Sequence, residues 1–183
     1  MSRLGDVYEV FRHRLSGIGP VVIAGGAVRD HLMGLVAKDY DVFVLGTDFE
    51  TQGGALASPL SNLEQVTPLD FHKSEPFLVG TVKWDGSVIQ VMSTPATSVD
   101  ALLDTFDWNI CLFAYDGSIH AKEDIGNVGK GRTLRIHKVT YPLSTLRRGF
   151  RFSERYEMPL LKSDVERLCR EVLATTIEEP EAA

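Results

Sequence analysis

Val21-Val22-Ile23-Ala24-Gly25-Gly26-Ala27-Val28-Arg29-Asp30, followed by Lys38-Asp39-Tyr40-Asp41-Val42-Phe43-Val44-Leu45, decides the fold of this 183-residue chain. The run from Val21 to Ala24 is continuous, mostly β-branched and bounded by glycines, which predicts a buried strand. Gly25-Gly26 turns the chain, Ala27 to Gly34 predicts a helix ended by Gly34, and Tyr40 to Leu45 predicts a second buried strand. Successive side chains on a strand alternate between faces. Asp39 and Asp41 therefore share one face while Tyr40 and Val42 point into the interior.

Two carboxylates converging on one face suit a divalent cation such as magnesium. That ion takes one or two protein carboxylates and completes its shell with water and phosphate oxygens. Transfer of a phosphoryl-type group needs this, because charge builds on the phosphates and on the attacking oxygen. Gly25-Gly26 lets the backbone approach a phosphate closely, the helix after it offers unpaired N–H groups, and Arg29, one turn in, adds a positive charge. An acid-x-acid pair or a glycine pair alone is most often structural. Here both occur in order, with twelve residues between Gly26 and Asp39.

Upstream, Val7 to Leu15 has the spacing of a short amphipathic helix, stopped by Gly17-Ile18-Gly19-Pro20. Downstream, Thr47 to Ser61 is rich in small residues with little periodicity and reads as a loop or a weak helix. Phe77 to Trp84 and Ser87 to Ser93 read as strands joined by Asp85-Gly86, a dipeptide that accepts positive φ in a two-residue hairpin turn. Ser98 to Thr105 predicts a capped helix; Asn109 to Tyr115 is apolar, and Asp116-Gly117 turns the chain into Ser118 to Ala121. Leu143 to Tyr156 and Ser163 to Ala174 predict two helices, the second capped by Ser163-Asp164-Val165-Glu166. The expected fold is α+β: a head over residues 1–138 with a small mixed sheet flanked by helices, a short helical neck over 139–176, and a disordered tail over 177–183.

With 44% hydrophobic residues the chain has enough apolar material for one well-cored domain. Its polar N-terminus and lack of a long apolar run predict a soluble, cytoplasmic protein without a membrane span. Cys111 and Cys169 stand far apart, away from any Cys/His cluster, which argues against a disulfide framework or a zinc site. The five histidines are scattered, and Trp84, Trp108 and Phe113 read as core. A net charge of −6 argues against non-specific coating of nucleic acid. Locally, though, Lys130, Arg132, Arg135, Lys138, Arg147, Arg148, Arg151 and Arg155 face a single acid, Glu154, between Gly129 and Arg155. That stretch is either a phosphate-facing surface or a solvated face paired with acids elsewhere.

The strand, glycine pair and Lys38-Asp39-Tyr40-Asp41 closely resemble the head motif of bacterial-type CCA-adding enzymes and poly(A) polymerases, of the DNA polymerase beta-like nucleotidyltransferase superfamily. Asp107-Trp108-Asn109-Ile110-Cys111-Leu112-Phe113-Ala114-Tyr115 is similar to the family's Asp-Phe-Thr-Ile-Asn segment, and Tyr141-Pro142-Leu143 through Arg151-Phe152 to the start of its neck helices. The resemblance implies a magnesium-dependent nucleotidyltransferase, with manganese as the substitute ion. It would move a nucleoside monophosphate from ATP or CTP onto an RNA 3′ end. Asp39 and Asp41 would bind two metal ions, Gly25, Gly26 and Arg29 the triphosphate, and Asp107 would lie near the sugar. RNA would be held through Lys130, Arg132, Arg135, Arg147, Arg148 and Arg151, with a partner subunit or a second copy supplying further surface.

Departures from the family pattern bear on that expectation. Gln90 falls where the family's third carboxylate sits, leaving Asp85 or Asp107 to replace it, and Thr105-Phe106 replaces a pair of arginines. The base-selecting Glu-Asp-x-x-Arg element falls at Thr140, Tyr141 and Ser144. The chain ends shortly after the neck, as a minimal or virus-encoded head would. Two other outcomes are therefore weighed: nucleotide transfer to a protein or small molecule, and an inactive head kept as a nucleotide- or RNA-binding module.

Overall fold

A computed structural model describes residues 3–65 and 78–177. The chain divides into two compact units, Met1–Asp104 with Cys111–Lys122, and Thr105–Ile110 with Glu123–Ala183. The first unit holds a seven-stranded mixed sheet, confirming the α+β reading. Its strands are β1 (Val21–Ala24), β2 (Asp39–Leu45), β3 (Glu64–Gln65), β4 (Leu78–Trp84), β5 (Ser87–Thr94), β6 (Phe113–Tyr115) and β7 (Ile119–Ala121), in spatial order β3-β4-β5-β2-β1-β6-β7. Among the described strands only β2 and β5 run parallel.

The apolar runs go where burial is complete. Ile23, Val42, Val44, Ile89 and Val91 are sealed on one face of the sheet, together with Tyr40 at 4% exposure. The opposite face is less covered, since Asp39 is exposed and Asp41, Val88 and Gln90 are half-buried. This asymmetry follows from alternation along each strand.

The first unit's helices are α1 (Arg3–Arg14), α2 (Gly26–Leu32), α3 (Phe49–Ala57) and α4 (Val99–Leu103). Helix α1 starts four residues before the apolar pattern predicts. Leu4 is buried one turn ahead of Val7 and Tyr8, and Arg3 binds the β4–β5 hairpin through the Asp85 carbonyl and the Ser87 hydroxyl. That hairpin turns on Asp85 (φ 46°) and Gly86 (φ 75°), as the dipeptide predicts. The segment from Thr47 resolves as a helix, because Asp48 accepts the Glu50 N–H at 3.1 Å while Gln52 accepts the Asp48 N–H at 2.9 Å. Ser98 caps α4 by accepting from Ala101 N at 3.1 Å.

In the second unit, α5 (Pro142–Tyr156) packs against α6 (Lys162–Ile177). The expected Ser163 cap is corrected. Val165 N bonds to Leu161 O at 3.1 Å, so Ser163 lies inside the helix, and Asp164 instead accepts the Ile136 N–H at 3.3 Å. Trp108 is fully buried and donates its indole N–H to Thr145 O at 3.0 Å. The fit is close: a Cβ at Gly149 would lie 2.4 Å from the Trp108 ring. The expected tail over 177–183 lies almost wholly outside the described residues, and so does Phe77, the expected first residue of β4.

Candidate functional site

The turn between β1 and α2 is built on one backbone conformation. Gly25 has φ 79° and ψ −131°, a region that side-chain-bearing residues avoid, and its N–H donates to Phe113 O at 2.8 Å. A Cβ placed on Gly25 would meet a single neighbour, the Asp41 Oδ2, at 3.9 Å. The glycine thus keeps a small cradle open beside a carboxylate. The helical ladder begins with Arg29 N donating to Gly25 O at 3.2 Å, so the N–H groups of residues 26–28 precede it.

Asp41 lies beside Ala24 of β1 on one side and Gln90 of β5 on the other, and Gln90 in turn lies beside Thr81 of β4. Residues in register share a face, so Ala24, Asp41, Gln90 and Thr81 form one row across the sheet, at about 4.8 Å per strand. One side of Asp41 is therefore a small apolar residue and the other a neutral amide. Asp39 lies two residues, about 6.6 Å, along the same face, and its carboxylate makes no hydrogen bond or ion pair among the described residues. On the opposite face, burial raises the Tyr40 hydroxyl pKa, with the Arg3 charge working against it, so Tyr40 stays neutral behind the acid pair.

The structure brings Gly25, Gly26, Asp39 and Asp41 together, and Gln90 joins them. Arg29 behaves differently from a solvent-facing phosphate ligand. It is 2% exposed, and its Nε and Nη2 bond the neighbouring Asp30 Oδ1 at 2.8 and 2.7 Å. A Cβ on Gly26 would lie 3.3 Å from the Arg29 Nη2, so the buried guanidinium is packed against the turn. Asp85 does not replace Gln90 as a third acid. It sits at the hairpin tip, beyond the Trp84–Ser87 pair and so at least three positions, about 10 Å, along the strand from Gln90, where Arg3 pairs with it.

Asp107 belongs to the second unit, where it is 4% exposed. Arg148 grips its Oδ2 through Nε at 2.9 Å and Nη2 at 2.5 Å, while its buried Oδ1 has no partner among the described residues. The basic stretch is likewise sorted by partners. Lys130 pairs with Glu157 and Arg135 with Glu123, and Arg155 stacks over Tyr156 at 5.1 Å. Arg132, Lys138, Arg147 and Arg151 are exposed and make no ion pair among the described residues. Of the six cations expected to hold RNA, three are thus committed to acids of this chain. Glu123 is a hub: burial favours its neutral form, but hydrogen bonds from Asn127, Asn109, the Asp124 N–H and Arg135 outweigh that and lower its pKa.

No protein-family model matches the chain, and no curated protein matches it. Solved structures do. A Bacillus stearothermophilus CCA-adding enzyme in complex with CTP superposes with a TM-score of 0.64 at 18% identity, over 92% of this chain and 43% of that one. A Thermotoga maritima CCA-adding enzyme complexed with tRNA gives 0.62 at 18%, over 96% and 43%. The chain shares their fold. It spans less than half the length of these neighbours.

Sequence reasoning missed the partners. Asp30 follows Arg29 directly, yet adjacency in a helix says nothing of a shared ion pair, and the Arg148–Asp107 contact joins residues 41 positions apart. Thr81 enters the Asp41 row only through the hairpin register.

Proposed function

We propose that this chain is a metal-dependent nucleotidyltransferase that moves a nucleoside monophosphate from a nucleoside triphosphate onto an RNA 3′ end. The observation that carries the reading is the Gly25 cradle, held open beside Asp41 Oδ2 on the face that also carries Asp39. The fold shared with CCA-adding enzymes solved with CTP and with tRNA supports it.

Among the described residues no group of three or more His, Cys, Asp or Glu forms a metal cage. Two carboxylates on one face, Asp39 exposed and Asp41 beside the Gly25 turn, still fit magnesium, because that ion prefers a shell shared with water and phosphate oxygens. Asp39 and Asp41 would hold it, and manganese is the natural substitute. When bound, the metal neutralises phosphate charge and lowers the pKa of an acceptor hydroxyl. The chain's own contribution is positioning. The backbone at Gly25 and Gly26 admits the triphosphate close to the two acids, and the Arg29–Asp30 pair is buried within α2. In this reading the head comprises residues 1–138 and the neck 139–176.

One observation favours a second reading, an inactive head retained to bind nucleotide or RNA. Gln90, neutral and in register beside Asp41, supplies no third negative charge to the site. The deciding experiment supplies magnesium, each labelled nucleoside triphosphate and mixed RNA including tRNA to the wild type and to Asp39→Ala. Label entering RNA only with Asp39 intact supports transfer. Label on protein or a small molecule would redirect the acceptor, and RNA binding without any label transfer would leave only the binding module.

A further inference from the structure

Helix α5 carries an exposed stripe whose composition is neither core nor ordinary surface. Leu143, Arg147, Phe150 and Arg151 recur at i, i+4, i+7 and i+8, all on one side of the helix at 100° per residue. Leu143 is 47% and Phe150 54% exposed. The buried residues Thr145, Gly149 and Tyr156 lie on another side, so α5 already has its core-facing surface and the stripe is additional to it.

The two arginines of the stripe differ from their neighbours. Arg148 is occupied by Asp107 and Arg155 lies over Tyr156, whereas Arg147 and Arg151 are exposed without an ion pair among the described residues. Glu154, the one acid of α5, follows on the same side and makes no ion pair among the described residues, so in a chain of net charge −6 the two guanidinium groups beside a half-exposed phenyl ring are left to attract an acidic partner. A helix docking in a groove would need a continuous apolar seam, but here Arg147 interrupts Leu143 and Phe150. An aromatic platform flanked by cations about 6 Å apart along the axis is what single-stranded nucleic acid uses, through base stacking and phosphate contacts.

We infer that the Arg147–Phe150–Arg151 stripe of α5 is a binding surface for single-stranded nucleic acid, with Phe150 stacking on a base and the two arginines contacting adjacent phosphates. This deepens the RNA-acceptor reading and rests on it for the identity of the strand. It also separates the basic stretch into two groups, with Lys130, Arg135 and Arg148 serving the fold.

The test is fluorescence anisotropy of labelled oligoadenylate with the full chain, without nucleotide or magnesium, over a salt series. Phe150→Ala is expected to weaken binding about tenfold or more, and Phe150→Trp to retain it. Arg147→Gln and Arg151→Gln should each lower the slope of log affinity against log salt by about 0.7. Binding that ignores Phe150→Ala or leaves the salt slope unchanged in both arginine variants would overturn the inference, as would absence of binding at low salt. Concentration-dependent self-association of the wild type, abolished by Phe150→Ala, would overturn it in favour of a polypeptide partner. Asp39→Ala separates the two readings. Phe150-dependent binding without label transfer by any variant sinks the transferase reading alone, while transfer onto another acceptor without oligonucleotide binding sinks this one alone.

Discussion

The two adjacent glycines of the β1–α2 turn should respond to alanine in opposite ways. Gly25 holds φ 79° and ψ −131°, and forcing a side-chain-bearing residue there costs about 1–3 kcal/mol of backbone strain. The reduced freedom of the unfolded chain returns about 0.4–1 kcal/mol, leaving a net loss near 1–2 kcal/mol. For a chain of this size that lowers the melting temperature by about 2–8 °C. The new methyl meets nothing closer than Asp41 Oδ2 at 3.9 Å, so the stability cost is conformational and not steric. Gly26 lies in α2, where alanine gains up to about 1 kcal/mol of helix propensity against a small displacement of the Arg29 Nη2, 3.3 Å from the new Cβ. Its net effect on stability should be near zero.

Binding should separate the pair further. The Gly25 methyl projects beside the carboxylate where phosphate is proposed to enter, and losing one charge-assisted contact weakens affinity about tenfold to a hundredfold. The Gly26 methyl points instead at the buried Arg29 guanidinium. Urea denaturation followed by circular dichroism, with calorimetric titration of ATP and CTP in magnesium, measures both. The reasoning fails if Gly25→Ala is as stable as wild type, or if Gly26→Ala loses as much affinity as Gly25→Ala.

Gly149→Ala should destabilise the second unit by about 1–3 kcal/mol despite its helical position, because the methyl would lie 2.4 Å from a fully buried tryptophan ring; denaturation curves of this variant and of Gly149→Ala with Trp108→Leu check it, the second change relieving the first. Glu123 has a lowered pKa in the folded state, so its contribution is complete at neutral pH and disappears as pH falls from the ordinary carboxylate range through the lowered folded value. Glu123→Gln should therefore cost about 1.5–3 kcal/mol at pH 7 and show a flatter acid limb in stability measured against pH. Gln90→Glu places a third carboxylate in register beside Asp41, and manganese titration by electron paramagnetic resonance should show roughly tenfold tighter binding. Unchanged manganese affinity would remove Gln90 from the site.

The sequence by itself determined the local frame of the site. The β-branched run before Gly25-Gly26, the alternation through Asp39-Tyr40-Asp41 and the Asp85-Gly86 turn are short-range signals, and each strand and turn formed where they predicted. Where such signals were weak, as at α3 and at the start of α6, boundaries and caps were set by contacts the pattern did not encode. Charge was the least legible property. Arg29, Arg135 and Arg148 read as available cations, but a guanidinium is available only if no carboxylate meets it, and carboxylates as near as Asp30 and as distant as Asp107 do. Register, too, was decided in three dimensions: Gln90 became Asp41's neighbour because β5 runs parallel to β2 and its hairpin partner β4 fixes where it starts. Local backbone preference is written residue by residue along the chain, whereas the pairing of charges and strands depends on which distant segments the fold brings into contact.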